Sequence, residues 1–337
     1  MQRLFLTLAL LTVGCAQLPQ TTAPSANTGD PMFARLAEEY LAGYLAWRPQ
    51  AGTGLGWHEY DGKLTDYSRA SLDAELARLK SFDRRLAELD TKRLERQALH
   101  DYRILRGAIQ REIFGFEAME SYTQNPMTYA GALDVNIYIK RNFAPLEDRV
   151  RSAVAILNQA PKVMNAARAN LAATLPKPQV ETAIEMAAGA ADFLGQDLAE
   201  AVQTVKDEKL LAEFSAANHR AIGELRGYAA YLKEQKLPAA HARYALGREK
   251  YAKMLRYGEM ISLSPERLLE IGLRELRREQ TVFAGTARQI DPNRKPMDVF
   301  KVTVLIKTHA AVLAMSICDV TLSLLPVSVP AKVASPE

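Results

Sequence analysis

The sequence predicts an all-α fold, a multi-helix bundle or array that ends in an irregular C-terminal tail. Across most of residues 33–290, apolar side chains recur every three or four positions, which is the period of an amphipathic helix. Proline and capping residues divide this stretch into segments of helical length. Apolar residues make up 48% of the 337 and charged residues 24%, which is the composition of a globular protein with a substantial core.

Three apolar stripes predict long helices. The first contains Leu72, Leu76, Leu79, Phe82, Leu86 and Leu89. The second contains Leu94, Ala98, Tyr102, Leu105, Ile109, Ile113 and Phe116. The third has a heptad rhythm and contains Leu211, Phe214, Asn218, Ala221, Leu225, Tyr228 and Leu232. Such stripes face other helices far more often than they line a cofactor site.

Helix boundaries are marked by prolines and caps. Ser264 followed by Pro265 predicts the start of a helix that continues through Leu269, Leu273 and Leu276. Pro161 is expected to open another helix, and Pro238 to end the heptad helix. Two less regular stretches, 52–67 and 124–145, are rich in Tyr, Asn, Asp and Gly. They are expected to be ordered loops, where functional residues often lie.

The N-terminus predicts export. A short basic start and an apolar run to Val13 are followed by Gly14 and Cys15, which resembles a bacterial lipoprotein signal over residues 1–15 with Cys15 as the lipidated residue. Plain secretion without a lipid is the alternative. Residues 16–31 are rich in Thr, Pro, Ser and Ala and are expected to form a flexible tether. The predicted location is the cell envelope, lipid-anchored or periplasmic, with the membrane as a partner.

Charge and cysteine content exclude some classes of protein. The net charge is only +4, and basic residues alternate with acidic ones, so no basic stripe for nucleic acid is present. Cys15 and Cys318 are the only cysteines, which excludes a disulfide framework.

No catalytic or metal-binding residue can be assigned from motifs. A zinc peptidase helix needs two histidines four residues apart with a glutamate beside the first. His58-Glu59 begins like this motif, but Gly62 stands where the second histidine belongs. The glycine-rich run 52–56 lacks the spacing of a nucleotide-binding loop and is expected to be a flexible turn. The segment 57–62 combines aromatic and polar side chains as binding sites do, although bracing of a loop would also explain it.

Five passages resemble one protein family, the bacterial proteins grouped as domain of unknown function 885, in matching order along residues 33–300. They lie at 55–68, 125–147, 187–194, 246–257 and 263–296, and they include Trp57-His58-Glu59-Tyr60-Asp61-Gly62, Asp134-Val135-Asn136-Ile137-Tyr138 and Leu263-Ser264-Pro265-Glu266. The resemblance implies a helical fold similar to the N-terminal half of H-E-x-x-H zinc peptidases.

Complete members of that family carry the zinc ligands and the catalytic glutamate in a second half. The resemblance ends near Phe300, so residues 32–300 are expected to be an incomplete family domain that holds no zinc and is inactive alone. In complete members the substrate is expected to be a peptide. The residues expected to face its cleft are His58, Tyr60, Tyr129 and Tyr138. A non-catalytic helical lipoprotein that serves as a binding or scaffold module is the alternative.

The C-terminal tail, residues 301–337, is unlike the rest. Only five of its 37 residues are charged, and no helical face is evident. The tail is expected to be disordered or, over about 302–325, translated from a shifted frame. Family-like residues in another frame of the gene past codon 300 would support the frame shift, and their absence from both alternative frames would refute it. An incomplete domain also exposes an apolar face, which predicts self-association.

Overall fold

The protein is all-α, as the sequence predicts. The structure, a computed structural model, describes residues 31–303, so Cys15, most of the tether and nearly all of the tail lie outside the described residues. Among the described residues there is no strand, only an isolated bridge between Pro176 and His241. No helix in this part of the chain combines the length and apolarity that crossing a bilayer requires. The chain divides into two compact units after Ser262.

The first unit contains twelve α-helices in the described range. They are α1 (Pro31–Trp47), α2 (Pro49–Leu55), α3 (Arg69–Ala87), α4 (Arg96–Glu117), α5 (Met127–Ala130), α6 (Ile137–Lys140), α7 (Leu146–Leu157), α8 (Ala160–Asn170), α9 (Lys177–Phe193), α10 (Ala199–Val202), α11 (Glu208–Tyr231) and α12 (Gly247–Gly258). Short 3₁₀ turns occur at His58–Tyr60, Thr91–Arg93 and Leu237–Ala239. π-helical segments follow α9 at Leu194–Leu198 and α11 at Leu232–Lys236.

The second unit contains the long helix α13 (Pro265–Ile290) and a further helix, α14, over 296–303, where the described range ends. Ser264 caps α13, because its side chain accepts a hydrogen bond from the Arg267 amide at 3.2 Å, as predicted. α14 continues through Thr303, so helical structure extends beyond the predicted limit at Phe300.

The first unit is built around two hydrophobic cores. The smaller core joins α1, α3 and α4 and contains most of the first two predicted stripes, with Leu79, Leu86 and Ile109 fully buried. The larger core surrounds α11, which packs against α7, α8 and α9. On α9, Ala183, Ala187 and Ala191 lie one turn apart and are fully buried. Their small side chains allow α9 and α11 to approach closely.

The third predicted stripe includes one polar residue, Asn218, and the structure explains it. Asn218 is buried, and its Nδ2 donates to the carbonyl of Leu194 at 2.9 Å, where α9 passes into its π-helical segment. The amide thereby binds a backbone acceptor at a place where the regular α-helical hydrogen-bond pattern changes.

A buried charge cluster connects the helices of the smaller core. The Glu75 side chain on α3 is only 1% exposed, and it accepts from Arg78 Nε at 2.7 Å and from Arg48 Nη1 at 3.1 Å. Arg48, which lies between α1 and α2, also pairs with Glu112 on α4. Burial opposes the charge of Arg48, but Glu112, Tyr122 and Glu75 together outweigh this effect and raise the pKa of Arg48 above its ordinary value.

Loss of the Glu75 charge is expected to destabilise the first unit. Glu75→Gln keeps the size of the side chain but leaves two partly buried guanidinium groups without their shared carboxylate. Breaking a buried pair in this way costs about 3–5 kcal/mol. Urea unfolding followed by circular dichroism measures the change. The matched control is Asp73→Asn, which removes an exposed carboxylate on the same helix, paired with Arg69 at 3.4 Å. A Glu75→Gln midpoint equal to that of this control would contradict the prediction.

Candidate functional site

The two stretches predicted to be ordered loops pack against each other. We call this region the loop junction, defined by residues 50–64 and 129–145. The Gly62 amide donates to the Tyr138 hydroxyl at 2.9 Å, and Arg141 Nη1 donates to the Gly54 carbonyl at 3.1 Å. Gln50 Nε2 donates to the Ala132 carbonyl at 3.2 Å. Residues about eighty positions apart in sequence therefore form one continuous surface.

Of the four predicted cleft residues, His58 is the most accessible, with 40% of its side chain exposed. Its imidazole stacks on Phe143, with ring centroids 3.9 Å apart and planes 18° apart. Its Nδ1 lies 3.0 Å from Asp61 Oδ2. A carboxylate only accepts hydrogen bonds, so Nδ1 carries the proton and the Nε2 lone pair of the neutral ring is left for another donor. The ring is thus held in orientation by both contacts.

Tyr60 is half-buried, and it explains the glycine at position 52. Residues 52–55 lie in α2 rather than in a flexible turn, so the prediction for 52–56 was wrong except at Gly56, which caps the helix. A Cβ atom on Gly52 would lie 2.5 Å from Tyr60 Cδ2, which is closer than real Cβ atoms approach other atoms. Glycine is needed here because the tyrosine ring packs directly on the helix backbone.

Tyr129 and Tyr138 are core residues, 0% and 2% exposed. The Tyr129 hydroxyl donates to the Tyr122 carbonyl at 2.7 Å and accepts from Asn170 Nδ2 at 3.1 Å. Asn170 also donates to the Tyr67 carbonyl at 2.8 Å, which ties α8 to both loops. These hydroxyls hold the loop junction together, and a role in a substrate cleft remains a prediction.

Tyr138 also borders a cavity of about 370 Å³ in the loop junction. The lining residues are Gln50, Thr53, Gly54, Gly131, Asp134, Ile137, Tyr138 and Ile156. Tyr138 is therefore the predicted cleft residue that borders this cavity. His58 and Tyr60 do not line it.

Arg149 on α7 supports the junction, although no sequence pattern predicted this role. Its guanidinium is buried and donates to the carbonyls of Tyr138 at 2.6 Å, Ala144 at 2.9 Å and Arg141 at 3.2 Å, and to Asn142 Oδ1 at 2.8 Å. One side chain thereby satisfies several backbone acceptors of the segment 138–144. An arginine in the first turns of a helix looks like a solvent-facing residue in sequence, so its role depends on the tertiary fold.

A larger cavity lies elsewhere in the first unit, between α1 and α4. This α1–α4 groove has a volume of about 780 Å³. Tyr40 and Tyr44 line it together with Leu41 and Ile104, two apolar side chains that are largely exposed. Charged residues of both signs also border it, namely Arg35, Glu38, Asp101, Arg111 and Glu112. A preformed apolar groove with a few polar groups is the usual form of a ligand site.

The described residues contain no group of three or more His, Cys, Asp or Glu side chains that could hold a metal ion. The nearest approach to catalytic geometry is the His58–Asp61 pair, which can orient a histidine but lacks a third group. Stacking on His58 and hydrogen bonding are the contacts that this surface offers to a ligand.

Burial of Tyr129 predicts a loss of stability at high pH. Burial raises the pKa of Tyr129 to about 12 from the ordinary 10.0. Between these values the unfolded chain loses a proton that the folded protein keeps. Stability is therefore fully present below pH 10 and falls as the pH rises towards 12, by roughly 3 kcal/mol at most. Urea unfolding at a series of pH values measures this dependence.

Two single substitutions, one as the test and one as its control, show whether Tyr129 causes this decline. Tyr129→Phe is expected to lower stability at neutral pH, because it removes two hydrogen bonds, and to make the alkaline decline shallower. Tyr244→Phe, at an exposed side chain, is the matched control. An equally steep decline in Tyr129→Phe and in the unchanged protein would contradict the assignment.

Comparison with known proteins places this arrangement in a family. The chain is similar to a candidate lipoprotein of unknown function from Shewanella oneidensis, with a TM-score of 0.65 and 23% sequence identity. The similarity covers 77% of this chain and 48% of that one, so this chain spans about half of its length. No curated protein matches the sequence. The model of a family of bacterial proteins of unknown function, DUF885, matches residues 49–314. The chain therefore belongs to the DUF885 family.

Proposed function

We propose that this chain is an exported lipoprotein that forms the non-catalytic, N-terminal half of a fold resembling zinc peptidases. The observation that carries the proposal is the match to the Shewanella protein, which shares the fold over 77% of this chain but is only 48% covered. That protein is itself a candidate lipoprotein. The peptidase likeness rests on the family resemblance of the five sequence passages.

The loop junction is the part of this half that suits a substrate wall. His58 and Tyr60 are the two predicted cleft residues that reach the surface, and Phe143 and Asp61 hold the His58 ring in place. An extended peptide offers backbone N–H groups, and the free Nε2 lone pair of His58 can accept a hydrogen bond from one of them. In complete members, bound zinc would supply an activated water for peptide hydrolysis. The role of this half is to bind and orient the substrate.

This proposal predicts that the chain alone does not hydrolyse peptides. After loading with zinc and exhaustive dialysis, the zinc content measured by mass spectrometry is expected to stay well below one ion per chain. Hydrolysis of a fluorogenic peptide mixture is expected to equal the buffer rate with or without a chelator. One zinc ion per chain, together with peptide hydrolysis that a chelator abolishes, would overturn the proposal.

The membrane attachment has its own test. Lipidation of Cys15 would bury acyl chains in the bilayer, at about 0.8 kcal/mol per methylene group. The full chain expressed in a Gram-negative host is expected in the membrane fraction, and Cys15→Ser in the soluble fraction. Equal distribution of the two forms would refute lipid attachment and favour plain secretion. The second cysteine provides a control, since Cys318→Ser is expected to stay with the membranes.

A binding or scaffold module is the second candidate function, and the α1–α4 groove is the observation that favours it. The groove is preformed and apolar, and it lies apart from the loop junction. The hypothesis of a binding or scaffold module predicts a compact protein that melts cooperatively and resists limited proteolysis along its whole length. Immediate cleavage within residues 301–337 would instead favour the incomplete-peptidase reading.

A further inference from the structure

The first half of α13 presents an uncovered apolar stripe. Leu269, Leu273 and Leu276 are 62%, 41% and 52% exposed. Their spacing of four and three residues places them on one side of the helix, in the core positions of a heptad repeat. Gln280, Phe283, Ala287 and Ile290 continue the same spacing. Contiguous apolar surface of this kind marks an interaction site.

The second half of the stripe is already occupied within the second unit. Phe283 packs edge-on against Phe300 of α14, with ring centroids 6.0 Å apart, and Ala287 is buried. Phe283, Ala287 and Ile290 line an apolar cavity of about 200 Å³ together with Val299 and Phe300. Only the part from Leu269 to Gln280 therefore remains for a partner.

Charged residues beside the stripe indicate what the partner is. Glu270 and Arg277 both occupy the heptad position next to the core on the same flank of α13. Glu270 pairs with Arg267 at 2.5 Å. Arg277 is exposed and has no ion pair with any residue that the structure describes. A partner for this flank should place a carboxylate beside Arg277 and a cation beside Glu270.

We infer that the partner is α13 of a second copy of this chain, packed antiparallel. In antiparallel coiled coils this flanking position faces its own counterpart across the interface. When Leu273 meets Leu276 of the second copy, Glu270 lies opposite Arg277 of that copy, and two-fold symmetry repeats the pair. Leu269 then meets Gln280 at either end, so the apolar contact is centred on the four leucines at 273 and 276.

Other arrangements of two α13 helices do not place opposite charges next to each other. A parallel pair would set Gly272 beside Arg277, and Glu279 beside Ala284, so no opposite charges would meet. An antiparallel pair shifted by one heptad would place Arg277 against Arg277, or Glu270 against Glu270, depending on the direction of the shift. Like charges in contact select against both. The charge pattern thus favours one orientation and one register.

Charge reversal tests this arrangement in the full chain. Sedimentation equilibrium over a range of concentrations is expected to show a monomer–dimer equilibrium for the unchanged protein. Glu270→Arg or Arg277→Glu creates two like-charge contacts per dimer. Each is expected to weaken dimerisation at least tenfold, which corresponds to about 1.4 kcal/mol. The double variant restores opposite charges and is expected to dimerise within about threefold of the unchanged protein, a change of about 0.7 kcal/mol.

Controls separate this interface from other causes of association. Arg274→Glu reverses a charge on the outer side of α13 and is expected to leave the equilibrium unchanged. Circular dichroism of every variant shows whether the helices are intact, and Leu273→Asp provides a second disruption that does not involve the flanking charges. A monomer at all concentrations would overturn the inference, as would association that neither single reversal weakens. Failure of the double variant to recover would equally exclude this register. None of these results depends on zinc content or peptide hydrolysis.

Discussion

The Glu75 cluster fixes the frame on which the rest of the first unit is arranged. Arg48 stands at the break between α1 and α2, and its two carboxylate partners come from α3 and α4. The neighbouring Trp47 carbonyl accepts from Thr65 Oγ1 at 2.9 Å, and Trp47 Nε1 donates to Ser71 at 3.0 Å. These bonds set both ends of the segment that carries His58. A buried ion pair adds little net stability, but its geometry is specific. The cluster therefore positions the loop junction more than it strengthens the core.

Helices were predictable from the sequence because their signals are local. The stripes of α3, α4 and α11 repeat within each helix, and the Ser264 cap is read from adjacent residues. The partners of Arg48 lie 27 and 64 residues away, and no local pattern indicates them. The same limit applies to Arg149 and to the α1–α4 groove. Periodicity shows which face of a helix is apolar, but it does not show which neighbour covers that face.

The predicted cleft residues show a second limit on prediction from sequence, because one residue type can suit two different environments. Tyrosine suits a binding surface, and it also suits a core where its hydroxyl can meet a backbone group. Tyr129 and Tyr138 are core residues. The Tyr129 hydroxyl donates to the Tyr122 carbonyl, and the Tyr138 hydroxyl accepts from the Gly62 amide. His58, in a short 3₁₀ turn, remains exposed. The choice between these outcomes is made by the packing of two distant loops, which the sequence order alone does not contain.

The family match extends into the C-terminal tail. The match continues to residue 314, past the limit predicted at Phe300, and α14 covers 296–303. The eight described residues of α14 are too few to show a helical period, which is recognised over windows of about 11–18 residues. In the described part of the second unit, α13 and α14 share a small apolar contact around Phe283 and Phe300. Leu269, Leu273 and Leu276 lie outside that contact. Covering them would bury apolar surface that the α13–α14 contact leaves exposed, so association is expected to stabilise the second unit.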